Sequence, residues 1–287
     1  MTRPKWRRLA DELALRIRNG EWAEGQALPQ IRELTMQGAG SITTVQAAYR
    51  ALETEGLVRT ARGHGTYVRR LRQPIVRAPQ DRYQWEKDRV RLPEQERHAD
   101  SIPEHETGMT RPQIDFDSQY KVVEAPPEIA RRFGVPETTR MLHRRYSPSS
   151  KSDGAAISVI DSWVVYEVIA RNPALLDSGT EPWPGGSMHQ FFTVGVEIAE
   201  ITDQISARPP TTQEAELLDL DPGTAVVVVK KSAFGTTGEL VEFSDIVLPG
   251  DRYELLYRIP LKPWTAQNED ADPQRRTGFD PEAPEEF

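Results

Sequence analysis

The sequence predicts an α+β protein made of two unlike parts, a small basic helical head and a larger acidic body built on a mainly antiparallel sheet. Three observations carry this. The N-terminal residues repeat apolar positions at helical spacing and end in a glycine-rich hairpin signal. The later chain alternates β-branched runs of strand length with helices too short to form a bundle. Charge divides the same way: residues 1–72 hold 13 Lys+Arg against 7 Asp+Glu, net +6, and residues 73–287 hold 23 against 37, net −14. A length of 287 residues leaves room for two domains, at roughly 150 residues each.

The absence of cysteine excludes disulfide scaffolds, thiolate-ligated zinc, iron–sulfur centres and cysteine nucleophiles. The opening MTRPKWRRLADELALRIRNG interleaves apolar residues with charge, so it lacks a secretory apolar core. No uncharged apolar run reaches membrane-spanning length. A cytoplasmic chain without a membrane partner is expected.

In the head, Trp6, Leu9, Leu13 and Ile17 recur every three or four residues, which predicts a first helix ended by Gly20. Leu28-Pro29 opens a short second helix through Ile31, Leu34 and Met36, since proline is tolerated at a helix start. Gly38-Ala39-Gly40 breaks it. Ser41 then caps a third helix through Val45, Ala48, Tyr49 and Leu52 that stops at Gly56. Residues 57–60 and 66–68 read as strands joined through Ala61-Arg62-Gly63-His64-Gly65. Three helices and a hairpin outline a winged helix-turn-helix.

The stretch EWAEGQALPQIRELTMQGAGSITTVQAAYRALETEGLVRTARGHGTYV carries four linked elements, G-x-x-LP-x-x-REL, S-x-TTV, LE-x-EGLV and G-x-GTYV. Together they resemble the DNA-binding domain of the GntR superfamily of bacterial transcription regulators. The resemblance implies a homodimer reading a near-palindromic double-stranded operator. Physically, a helix beginning at Ser41 offers backbone N–H groups and the hydroxyls of Ser41, Thr43 and Thr44 to phosphate, and points its first turns at base edges. Arg32 falls where the family places a DNA-contacting arginine, with a surface ion pair to Glu33 or a neighbour as the alternative. His64 and Gly65 stand at the wing tip, where close approach to the minor groove favours glycine; an exposed turn is the bland reading of His64. The family commonly has Arg at the position of Ile42 and often a basic residue at that of Gln46, so two guanine or phosphate partners are missing.

Residues 73–112 are rich in Pro, Gln, Arg, Glu and Asp with little apolar periodicity, as a linker or a peripheral insert would be. Tyr83 and Trp85 are unusual for a free segment and point to docking on one domain. His98 and His105 lie among glutamates, but in a charged segment they read as solvated, and no metal or cofactor is expected. Residues 266–287 hold 2 basic and 7 acidic residues with three prolines and are expected to be disordered.

Organisation returns after residue 112. Residues 127–133 form a helix ending at Gly134, and strands follow at 140–146 and 155–165, with a short helix at 167–172. Strands are expected at 196–207, 225–233, 240–248 and 253–259, with a helix after Thr211, whose spacing to Glu214 suits a capping box. The Trp183-Pro184-Gly185-Gly186 turn suits either a ligand lid or a plain surface connection, and is assigned no role. ISARPPTTQEAELLDLDPGTAVVVVKKSAFGTTGELVEFSDIVLPGDRYELLYRI resembles the C-terminal half of a UTRA domain, the effector-binding module of the HutC subfamily of GntR regulators. Actinobacterial regulators of this kind look similar around RYQWEKDR and EPWPGGSMHQ. The organisation expected is a head at 1–72, a polar linker at 73–112, a UTRA effector and dimerisation domain of chorismate lyase-like fold at 113–265, and a tail.

The UTRA resemblance implies a small, often anionic effector, held at positions matching Arg144 or Arg145, Ser162, Glu242 and Tyr253. An arginine fork suits phosphate or carboxylate, and Glu242 suits a sugar hydroxyl. The family's Arg-x-Arg pair is absent, however. Since neighbours on a strand face opposite sides, only one of Arg144 and Arg145 enters a pocket, and an exposed ion pair is the alternative for each. The expected function is a ligand-responsive regulator, more readily a repressor. A constitutive DNA binder with a vestigial body stays open. So does a small-acid enzyme, although the chain has no Walker loop, no H-E-x-x-H and no G-x-S-x-G.

At the head, Ile42 is expected to meet a thymine methyl and Gln46 to pair with adenine. Selection from random duplexes should therefore return half-sites rich in A·T at the positions these residues reach; a strict G·C core there would refute the assignment.

Overall fold

The structure, a computed structural model, describes residues 3–61, 64–69, 74–98 and 101–261. The head has α1 (Lys5–Arg18), α2 (Ile31–Met36) and α3 (Ile42–Thr54), then the hairpin β1 (Val58–Ala61) and β2 (Gly65–Val68). Its core is the helical stripe read from the sequence: Leu9, Leu13 and Ile17 meet Leu34, Val45, Ala48, Tyr49 and Leu52, closed by Val58 and Val68 of the hairpin. Each of the large aliphatics contributes about 1.5–3 kcal/mol by leaving water. Trp6, expected on this stripe, stays 37% exposed at its end. The hairpin is stitched to the turn before α2, where Leu28 N–H donates to Thr66 O (2.7 Å), and Tyr49 OH donates to Pro29 O (2.5 Å). These bonds fix the wing relative to α2 and α3.

Between residues 73 and 112, read from composition as a linker or insert, the described residues carry regular structure. β3 (Ile75–Arg77) leads into α4 (Pro79–Arg89), α5 (Glu94–His98) and α6 (Ile102–Thr107). The segment is held by charged groups that hydropathy scores as solvated. Glu86, 2% exposed, accepts from Met188 N–H at 3.0 Å and Ser187 Oγ at 3.3 Å. Arg77, 3% exposed, donates to Glu106 (2.8 Å). Tyr83 packs on the body and donates to Asp203 (2.9 Å), whereas Trp85 stacks on His105 within the insert, ring centroids 3.9 Å apart.

The body follows with β4 (Ile114–Glu124), α7 (Pro127–Phe133), β5 (Arg140–Ser150), β6 (Val159–Val165), α8 (Tyr166–Ile169), α9 (Gly186–Thr193), β7 (Ile198–Arg208), α10 (Thr212–Leu217), β8 (Val226–Gly235), β9 (Leu240–Pro249) and β10 (Tyr253–Leu255). Six strands form an antiparallel sheet in the order β4-β5-β6-β9-β8-β7. β4 is an edge strand whose polar, half-exposed residues give no apolar run in the sequence. The last strand is shorter than the expected 253–259 and leaves the main sheet to pair in parallel with β3. The Thr211–Glu214 capping box forms as read. The expected disordered tail, 266–287, and Arg62-Gly63 of the wing loop lie outside the described residues.

The body also grips the head directly. Arg69, just past β2, pairs with Asp221 (2.8 Å) and Asp251, and Arg59 of β1 lies 3.4 Å from Asp221 and 3.6 Å from Asp219. Beside them Gly223 lies against the C-terminal end of α3, where an added Cβ would sit 2.8 Å from Thr54 O. With φ at +83°, the position excludes a side chain on both steric and conformational grounds. Arg69→Ala should take the nearest cation from Asp221 and Asp251, leaving them the longer pairs to Arg59 (3.4 Å) and Arg252 (3.5 Å), and lower stability by about 1 kcal/mol. Urea unfolding followed by tryptophan fluorescence measures this; an unchanged midpoint would show that the clamp adds nothing net.

Candidate functional site

Two surfaces collect the chemistry. On the head, Ser41 caps α3, its Oγ accepting from Thr44 N–H (3.3 Å) and lying 2.9 Å from the hydroxyls of Thr43 and Thr44. The cap follows from the sequence, because Ser41 has extended backbone and a short acceptor side chain. Val45, Ala48, Tyr49 and Leu52 turn inward, which leaves Ser41, Ile42, Thr43 and Gln46 outward, with Ile42 51% exposed. Arg32 is exposed on α2. Its sequence neighbour Glu33 is engaged elsewhere, accepting from Gln30 N–H (2.8 Å) in a capping box, and among the described residues no carboxylate pairs with Arg32. His64 exposes its ring at the hairpin turn while its carbonyl accepts from Tyr67 OH (2.8 Å), and Gly65 next to it has φ +116°.

The second surface is the inner face of the sheet. Register alone sets a row across it: Tyr120, Arg144, Ser162, Ser244, Lys231 and Asp203 are successive cross-strand partners and share one face. Arg144 is fully buried and donates to Gln190 (2.6 Å), Ser162 (2.9 Å) and Glu242 (2.6 Å). Glu242 takes Ser162 (2.9 Å) on the same oxygen and Lys231 (2.7 Å) on the other. Burial disfavours the ionised carboxyl, but Lys231 and Arg144 outweigh it and bring Glu242 down to about 2. Burial likewise disfavours the Lys231 ammonium, and Glu242 overcomes that and keeps it charged.

Above this row lies a cavity of about 120 Å³, lined from the sheet by Ser162, Lys231, Glu242, Ser244 and Tyr146. Its lining also includes Glu181 and Trp183, the latter from the Trp183-Pro184-Gly185-Gly186 turn. Glu181 accepts from Tyr120, Tyr146 (3.2 Å), Gln190 (2.8 Å) and Trp183 N–H (2.6 Å). The Trp183 indole donates to His189 Nδ1 at 2.8 Å; burial, helped by the Arg97 charge, lowers that imidazole to about 4 and keeps it a neutral acceptor.

Ser162 and Glu242 line the cavity, and Arg144 lies beneath it as their partner, so three of the five body residues singled out in the sequence come together. Arg145 does not join them. It points to the opposite face, in the row Arg145, Asp161, Asp245, Lys230, and approaches Asp161 at 4.0 Å. Tyr253 does not join them either. Because β10 leaves the sheet, its ring is buried among Ile114, Ile157, Val229 and Leu248, and burial raises its phenol. Lys231 went unread although the parity argument applied to Arg144 and Arg145 separates Lys230 from Lys231 as well. Gln190, Glu181, Arg77 and Arg82 carried no motif. His98 pairs with Glu94 at 3.3 Å, and no group of three or more metal-ligating side chains forms among the described residues.

Replacing Glu242 by Gln should strand two buried cations, at about 3–5 kcal/mol. The unfolded carboxyl titrates near 4.5 and the folded one near 2, so Glu242 stabilises fully above pH 4.5 and less as pH falls toward 2. The gap between wild type and Glu242→Gln in urea midpoint should shrink across that interval; a constant gap would contradict the assignment.

The profile of the bacterial regulatory proteins of the gntR family matches residues 5–68, and that of the UTRA domain matches residues 118–254. The chain is 34% identical over 254 residues to an uncharacterised HTH-type transcriptional regulator of Streptomyces coelicolor, covering 88% of this chain and 92% of that one. It is 22% identical to the HTH-type transcriptional repressor NagR of Bacillus subtilis over 88% of this chain and 94% of that one. A solved GntR-family regulator structure superposes with a TM-score of 0.62 at 25% identity, covering 91% of this chain and 99% of that one. No helix among the described residues is long and apolar enough to cross a membrane.

Proposed function

The chain belongs to the GntR family of bacterial transcription regulators and carries a UTRA effector domain, and from that premise we propose that it acts in the cytoplasm as a homodimeric repressor. Two heads, each spanning residues 1–72, read a near-palindromic operator. Arg32, Ser41, Thr43, Thr44 and His64 hold phosphate, Ile42 and Gln46 face base edges, and Gly65 lets the wing approach the backbone. The body, residues 113–265 with the folded segment 73–112 on its flank, takes a small effector bearing an acid group and hydroxyls. Its occupancy lowers operator affinity to the extent that the ligand prefers the non-binding arrangement of the heads.

One observation carries the choice of binding over turnover. Glu242 is met by Arg144 and Ser162 on one oxygen and by Lys231 on the other, and it stays ionised down to about pH 2. A general base needs a pKa near the working pH and a free lone pair aimed at substrate. A pre-formed polar floor of this kind suits recognition.

Footprinting on DNA ahead of the protein's own gene, with and without small carboxylates and sugar phosphates, tests the reading. Protection should weaken with at least one of them, and protection indifferent to all would favour a constitutive binder. Arg32→Ala and Gln46→Ala alter exposed side chains and should each cost about 1–3 kcal/mol of operator affinity with no change in urea midpoint. Unchanged affinity in both would remove these residues from the interface.

A further inference from the structure

The cavity has a second wall that the sheet does not supply. Arg77, Arg82 and Glu106 line it from the insert, opposite Lys231 and Glu242. Arg77 and Arg82 share one carboxylate: Arg77 Nη1 lies 2.8 Å and Arg82 Nε 3.7 Å from the same Glu106 oxygen. Both guanidinium Nε groups are buried without a hydrogen-bond partner among the described residues, and Arg77 is 3% exposed. A buried donor left unpaired costs about 1–3 kcal/mol, so the wall is incomplete as it stands.

The carboxylates around the cavity have no such deficit. Glu242 is met by Arg144, Ser162 and Lys231, and Glu181 by four donors. The lining cations Arg77, Arg82 and Lys231 face Glu106, Glu181 and Glu242, so the charges balance and the deficit lies in the unpaired arginine donors. At about 120 Å³ the cavity takes a group of small-molecule size.

Resting on the effector reading above, the geometry points to a composite site: the acid group of the effector, a carboxylate or a phosphate, is bound by Arg82 and Arg77 of the insert, while its hydroxyls meet the serines and Gln190 on the sheet side. The ligand thus fastens the insert to the sheet. The insert is also the stretch of chain that leads to the head. β3, which carries Arg77, is tied to β10 through Ile75 N–H on Arg252 O (2.7 Å). Ligand occupancy therefore acts on the strand that follows the head in the chain.

Full-length protein titrated with inorganic phosphate, with glycolate and with neutral glycerol tests this, read by melting temperature and by the indole N–H resonance of Trp183, assigned from its loss in Trp183→Phe. Both acids should raise the melting temperature and shift that resonance, and glycerol at equal concentration should do neither. Arg82→Met, which keeps the aliphatic stem, should weaken acid binding at least tenfold, whereas Arg91→Met, an exposed charge removed nearby, should leave it unchanged. Equal acid binding by wild type and Arg82→Met would overturn the composite site. So would a Trp183 response to glycerol alone, which would leave the sheet pocket standing as an effector site. If no probe of either class moves Trp183, the effector reading fails together with this inference.

Discussion

Four buried groups in the middle of the sheet, Arg144, Ser162, Glu242 and Lys231, set the terms for the rest of the body. Each ion alone would pay several kcal/mol to leave water, and their mutual attraction recovers this only with close contacts and every remaining lone pair used. The contacts come from four different strands, β5, β6, β9 and β8, so the charges meet only if all four hold one register. A slip of a single residue would turn Arg144 outward and bring Arg145 in, leaving Glu242 without its partner. The polar cluster thus selects one alignment among strands rich in valine and isoleucine, which apolar packing alone would distinguish poorly.

Local periodicity made the head legible. Its core residues recur within single helices, its cap is a short-range bond from Ser41 to Thr44, and the hairpin follows at once. The sheet was legible as strands, and parity correctly allowed only one of Arg144 and Arg145 to face inward. Tyr253 shows where this kind of reading stops, since nothing in the sequence of β10 reveals that it pairs with a strand nearly 180 residues earlier. The insert shows another limit. Arg77, Glu86 and Glu104 are buried, yet in a sequence they count as solvated charge. Segments held together by ion pairs are nearly invisible to hydropathy, because the pairing is a tertiary property.

The insert and the acidic clamp place the head under two influences from the body. One is the strand pairing of β3 with β10, next to the cavity wall. The other is the ring of Asp219, Asp221 and Asp251 around Arg59 and Arg69. The first acts on Ile75–Arg77, further along the chain, and the second on Arg59 within the hairpin and Arg69 just past it. A sensor whose ligand site and DNA-reading helix lie on separate folds needs such a short mechanical path, because coupling is carried by packed elements with discrete alternatives. The division of charge seen in the sequence gains a structural meaning here, since some of the body's acidic surplus faces the head's arginines.

Gly223 sets how near the body comes to the rear of α3. That helix has 13 residues, so at 1.5 Å per residue it is a rigid rod of about 20 Å, with its base-facing tip at the other end. A displacement of a few tenths of an ångström at the rear becomes a tilt at the tip. In the proposed dimer the paired heads match half-sites a fixed distance apart, so one added methyl group here, remote from any duplex or cavity, would alter the operator spacing the pair can span. Drift in DNA preference among such chains is therefore open to positions that never approach a base.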